Sequence, residues 1–319
     1  MKNHKIDNIR AFAIMTVVVG HSIILYSSQW GLYEPDRTSV LLDYMKKLIN
    51  LYQMPLFFSL SGYLFSMTWK DRKFFSFFIN KARRLIVPFF AIGMLWMIPV
   101  KMIIHYPYYE GRTYVDAFFM LLYGYDLGHL WYLPVLFIIF IILYLAIKFF
   151  GNTKRVWSVL LILSALLSVF RKELPPLDGI YAPYIYQYLW SFVFGAFISQ
   201  YKLDRIAKNY AYAIGAIAAI WSLYSVYTGR QNTIFLTAVI LIAVYALIPD
   251  EHSSISEKIS KSSFGIYLIH SPLIYITFTY LLNTNPLIVC VVNFFIFGTM
   301  AYYMTELIRN IHLGFVIGE

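Results

Sequence analysis

Hydrophobic positions along this chain fall in long, nearly unbroken runs joined by short polar connections, not in the alternating or one-sided stripes of a soluble fold. The runs lie at about 9–29, 47–69, 84–104, 129–149, 156–171, 184–200, 210–227, 232–249, 263–282 and 286–307. The longer ones match the roughly 20 residues a helix needs to cross a bilayer core. The pattern therefore predicts an all-α, polytopic integral membrane protein of about ten transmembrane helices, forming one transmembrane domain over 1–319. Every gap between runs is shorter than the roughly 50 residues of a small separate domain. No small-residue cleavage site follows the first run, which is expected to stay as a span and not to leave as a signal peptide.

Two connections carry patterns of their own. The segment 105–128 contains "YVDAFFMLLYGY", an apolar stretch too short to span, which suits an interfacial or folded-back position. The segment 70–83, "KDRKFFSFFINKAR", mixes basic residues with phenylalanines and predicts an interfacial helix.

Charge then orients the chain. Of the 26 Lys and Arg residues, Arg37, Lys46, Lys47, Lys101, Arg112, Arg171, Lys172 and Arg230 fall in connections on one side, and the other 18 fall on the side of the N-terminus. By the positive-inside rule both termini are cytoplasmic, in a cytoplasmic membrane with lipids as the surrounding partner. The net charge of +10 is thus a topology signal, not the footprint of a nucleic-acid binder. Composition agrees, with 60% hydrophobic and 13% charged residues against roughly 25% charged in soluble domains. Cys290 is the only cysteine, so disulfide scaffolds and thiolate metal sites are excluded. No histidine pair has a metal-ligand spacing such as HExxH, and no phosphate-cradling glycine loop is present.

Ionisable groups inside spans are costly and mark function by default. Arg10 and His21 lie eleven residues apart in the first run, which is three helical turns and about 16 Å, so both project from one face. Asp7 precedes Arg10 by three residues and can pair with it. A neutral imidazole at low dielectric is a competent general base. His270 sits mid-span beside Pro272, which is expected to break the helical hydrogen-bond ladder, and is placed to orient a ligand or another side chain. His129, Trp131 and Tyr132 open the fourth run in "GHLWYLPVLF", at the outer face, where a histidine can meet an acceptor and aromatic rings can stack on a sugar. Lys81, Arg83 and Arg84 cluster in "NKARRLIVPFF" on the inner side, where guanidinium forks suit the phosphates of a donor. Gly62, in "SLSGYLF", reads as a helix-packing position.

The stretches "IDNIRAFAIMTVVVGH", "MPLFFSLSGYLF", "KARRLIVPFF", "LWYLPVLF" and "GIYLIHSPLI", in this order, resemble the membrane-bound acyltransferase-3 family, in particular its short bacterial members related to fucose O-acetylases. The likeness runs from about residue 5 to 307. It implies an enzyme that moves acetyl from cytoplasmic acetyl-CoA to a hydroxyl of a cell-surface or lipid-linked carbohydrate, with acetyl-CoA as substrate and no permanently bound cofactor. It also implies that His21 is catalytic, as base or as acyl relay, that Arg10 supports it, and that Arg83 and Arg84 contact coenzyme A. Asn8 and Ala11 stand where many members read "LRG", and the chain lacks the extra extracellular domain of some members, so transfer is expected to finish within the membrane domain. A transporter or exporter of a glycolipid or polysaccharide precursor is the competing class; matching half-chain repeats with broken helices, which many transporters show, are absent.

Overall fold

A computed structural model describes residues 4–29, 39–171, 173, 182–229, 234–281 and 283–319. Lys2, Arg37, Lys172 and Arg230, and positions 232–233 and 282 of two predicted spans, lie outside the described residues. Helices occupy His4–Ile24 (α1), Val40–Asn50 (α2), Gln53–Met67 (α3), Phe74–Ile103 (α4), Tyr114–Tyr123 (α5), Tyr132–Phe150 (α6), Lys154–Val169 (α7), Ala182–Tyr201 (α8), Lys208–Tyr227 (α9), Ile234–Leu247 (α10), Ser254–Tyr280 (α11) and Pro286–Asn310 (α12). Five described stretches are long and apolar enough to cross a membrane: His4–Ile24, Phe74–Ile103, Tyr114–Phe150, Lys208–Tyr227 and Pro286–Asn310. The chain is an all-α, multi-pass membrane protein.

Two elements differ from the sequence reading, each for a local reason. The run at 47–69 is interrupted, because α3 starts two residues before Pro55, whose missing amide is tolerated in a first turn but not in a helix interior. The residues ahead of that break form the amphipathic α2. The phenylalanine-rich stretch after residue 73 is no separate interfacial helix but the beginning of α4. Pro88 and Pro99 do not stop α4, since each follows a wider π-type turn, at Ala82–Ile86 and Gly93–Met97, with Val87 N bonding to Ala82 O and Ile98 N to Gly93 O. The apolar stretch in 105–128 becomes α5, started by a reciprocal Thr113/Asp116 capping box and ended by Gly124 at φ +75°.

The chain forms two compact units, each assembled from separate segments. The first comprises residues 1–13, 47–72 and 138–260. Its core joins Ile6, Ile9 and Ala13 to Leu56, Leu60, Trp190, Phe194, Leu241 and Tyr245. Helices α3 and α8 approach until their backbones touch: a Cβ on Gly62 would lie 1.8 Å from the Phe192 carbonyl oxygen, and one on Gly195 would lie 1.8 Å from that of Ser59. The start of α1 is stitched down by Asn8, which donates to the carbonyls of Pro249 and Glu251, and by Lys5, whose amide donates to Asp250.

The second unit comprises residues 14–46, 73–137 and 261–319. Its α5 lies on α4, with Tyr114 donating to the Met94 carbonyl and Leu121 filling the space over Gly93. The end of α1 is held against α12 by Cys290 and Asn293, both reaching the Ser22 carbonyl.

Candidate functional site

Pro272 has no amide to give to the Leu268 carbonyl, yet α11 runs straight through it. The expected break is a single missing bond, and His129 replaces it: its Nε2 donates to Leu268 O at 2.9 Å. Trp96 Nε1 donates to the next carbonyl, Ile269 O, at 3.0 Å. A proline in the ladder thus becomes a docking point for two rings from α4 and from the turn before α6.

His270 occupies the same stretch of α11. Its Nδ1 donates to Ile266 O at 2.8 Å, because a carbonyl can only accept, and this leaves Nε2 of His270 as an acceptor. Nδ1 of His21 lies 2.6 Å from that Nε2, with the two rings nearly parallel at 4.9 Å between centroids. The proton between the rings therefore resides on His21 Nδ1, and the lone pair of the His21 ring is on Nε2. His21 is only half-buried whereas His270 is 1% exposed. The result is a relay from carbonyl to His270 to His21, ending in a basic nitrogen on the more accessible ring. His129 closes the group, its ring 5.9 Å from that of His270 and its own carbonyl accepting from Tyr267. Its Nδ1 is buried and, among the described residues, has no hydrogen-bond partner. The His21 and His270 nitrogens are too close to each other to share a metal ion, and no cluster suited to a metal occurs among the described residues.

The turn that carries His129 is built by an ion pair. Lys101 Nζ and Asp126 Oδ2 are 2.6 Å apart with the lysine fully buried, and the ammonium lies 5.0–5.2 Å from the ring centroids of Tyr106, Tyr109 and Tyr275. Asp126 also accepts from the Gly128 amide at 3.1 Å. Gly128 itself has φ +49°, and a Cβ there would meet Met97 Sδ at 2.9 Å, so glycine lets the turn close onto α4 without strain or a shift of Met97.

The remaining predicted residues are placed as follows. Arg10 and His21 do share α1; Arg10 Nη1 reaches Ser260 Oγ at 3.4 Å and Asp7 at 4.0 Å, while Ser260 donates to Asp7 at 2.8 Å. Arg83 and Arg84 are exposed, Arg84 Nε donating to the Gly318 carbonyl at 3.3 Å, and Lys81 lies 5.6 Å from the Phe77 ring centroid. Trp131 is the accessible ring of its segment, whereas Tyr132 is 4% exposed and packed edge-on against Trp131 and Tyr267. Sequence reasoning missed the pairing of His21 with His270. It also missed the two buried lysines, Lys46 and Lys101, which it had counted as outer charges; the lysines had one legible signal, their position among apolar neighbours.

Residues 3–305 match a family of acyltransferase domains. No curated protein and no solved structure matches the chain.

Proposed function

Because the chain belongs to the membrane-bound acyltransferase-3 family and is an acyltransferase-type membrane enzyme, we propose that His21 Nε2 is the group that acts on the substrates of an acetyl transfer. The observation that carries this reading is the relay through His270, which fixes the tautomer and leaves the lone pair of His21 on Nε2, the nitrogen not bonded to His270. The donor is acetyl-CoA from the cytoplasm. The acceptor is a hydroxyl of a lipid-linked or cell-surface carbohydrate of the kind handled by fucose O-acetylases. In direct transfer Nε2 takes the hydroxyl proton as the oxygen attacks the acetyl carbon, then returns it to the departing thiolate; in an acyl relay the same nitrogen carries the acetyl group. Both routes need Nε2 unprotonated and the ring held, which His270 provides.

Arg83, Arg84 and Lys81 serve the donor phosphates, with Arg10 supporting donor binding. His129, through the Nδ1 that has no partner among the described residues, and Trp131 serve the acceptor side. The sidedness follows the charge distribution, with ten spans and both termini in the cytoplasm of a bacterial cell.

The test is His21→Gln, which keeps a polar side chain but removes the base. Transfer of labelled acetyl from coenzyme A by purified protein in lipid is expected to fall at least about 100-fold, with the unfolding temperature kept. Wild-type turnover in this variant overturns the reading.

A further inference from the structure

Helix α2 buries one stripe, Leu42, Lys46 and Ile49, at the i, i+4, i+7 positions of an amphipathic helix. Leucine or isoleucine would be expected at the middle position. Instead a lysine stands there with 2% of its surface exposed, and burial, with no carboxylate beside it among the described residues, is what acts on its ammonium. Burying a cation in this way is strongly unfavourable unless an anion joins it.

The helix is positioned for a purpose other than its own packing. Asp43, one turn before Lys46, takes three hydrogen bonds at the end of α1, from Ser27 Oγ at 2.9 Å and from Ser28 N and Oγ at 2.9 and 2.7 Å. The Ser39 amide donates to the Tyr26 carbonyl at 3.1 Å. These bonds dock the N-terminal half of α2 on the segment that follows His21, and Lys46 lies within charge–charge range of the His21 ring. Burial also pulls the ammonium down to about 7, so it is easily made neutral unless a negative charge appears beside it.

A buried cation with no anion bonded to it among the described residues, within charge–charge range of a base, suits a negative charge that exists only during reaction. We propose that Lys46 stabilises the oxyanion formed on the acetyl carbonyl. The role rests on the acyl-transfer reading above. As the acceptor oxygen bonds to the acetyl carbon, His21 Nε2 takes its proton and the carbonyl π pair moves onto oxygen, where the Lys46 ammonium meets it. When the pair returns, the carbon–sulfur bond breaks, and the thiolate takes the proton from His21 to leave as the coenzyme A thiol.

A catalytic charge and a structural charge give opposite signatures here. Purified protein in lipid is assayed for thiol release from acetyl-CoA, with methyl fucoside as the acceptor probe, in wild type, Lys46→Met, Lys46→Leu and His21→Gln. In Lys46→Met, kcat is expected to fall at least about 100-fold, as when an oxyanion donor is removed, with KM for acetyl-CoA within about threefold. Its unfolding temperature should rise, since an uncompensated charge is gone; Lys46→Leu should behave alike. Wild-type kcat in both variants, a loss expressed in KM alone, or lower unfolding temperatures in both overturns the role of Lys46. If those outcomes occur while His21→Gln is inactive, only this inference fails. Wild-type protein that never releases thiol defeats the acyl-transfer reading itself, and the role of Lys46 with it.

Discussion

The second unit holds two buried lysines in opposite circumstances. Lys101 is fully enclosed, but a carboxylate sits 2.6 Å from it, three tyrosine rings surround it, and the same carboxylate shapes the turn that carries His129. Lys46 is 2% exposed and has no carboxylate partner among the described residues. A buried ion pair contributes little net stability compared with an apolar pair, yet it fails badly when one half is removed. An unpaired buried ammonium costs stability as it stands. Lys101 is therefore understood as architecture, and Lys46 as a charge retained against the interest of the fold.

The strongest way to break this comparison is to orphan Lys101. Asp126→Ala is expected to cost about 3–5 kcal/mol, read as a large drop in unfolding temperature, whereas removing the charge at Lys46 raises it. A neutral result for Asp126→Ala would erase the distinction between the two lysines.

The next effect concerns what holds the base. His270→Phe keeps a ring but removes the acceptor for His21 Nδ1. Losing one charge-assisted hydrogen bond of about 1.5–3 kcal/mol corresponds to about a 10–100-fold fall in kcat. A drop in KM with kcat intact would mean that His270 packs without positioning His21.

A pH series separates the lysines again. With its folded value near 7 and its unfolded value near 10.5, Lys46 binds a proton in the unfolded chain but not in the folded one across the interval between them. Stability therefore rises with pH there, and the destabilisation is fully present below about 7. Measured from about pH 7.5 to 9, where ordinary imidazoles and carboxylates are already deprotonated, the slope should approach about 1.4 kcal/mol per pH unit. Lys46→Met should lack this component. Identical slopes in the two proteins would place the ammonium in contact with water or with an anion.

The smallest effect is expected at the exposed basic cluster. Replacing Arg83 and Arg84 together with alanine should raise KM for acetyl-CoA a fewfold, in keeping with under about 1 kcal/mol for exposed charge contacts, and should leave kcat unchanged. No change in KM would make the cluster a topology signal alone.

Much of this protein is written locally. Runs of apolar residues demand helices wherever lipid offers no partner for the backbone, so the helical segments, and Arg10 and His21 on one of them, can be read from periodicity. Pro55 and Gly124 mark ends by chemistry confined to one turn. His21 and His270, by contrast, are 249 residues apart in the chain, and their 2.6 Å contact exists only because α1 and α11 pack together. Pro272 announces a missing amide, but that His129 takes the released carbonyl depends on a distant turn tied to Lys101. Net charge cannot distinguish Lys46 and Lys101 from surface lysines, because burial and partners are properties of packed neighbours and not of residue type. Hydrophobic pattern selected the helices; only their packing decided which polar groups would be paired, aimed or left alone.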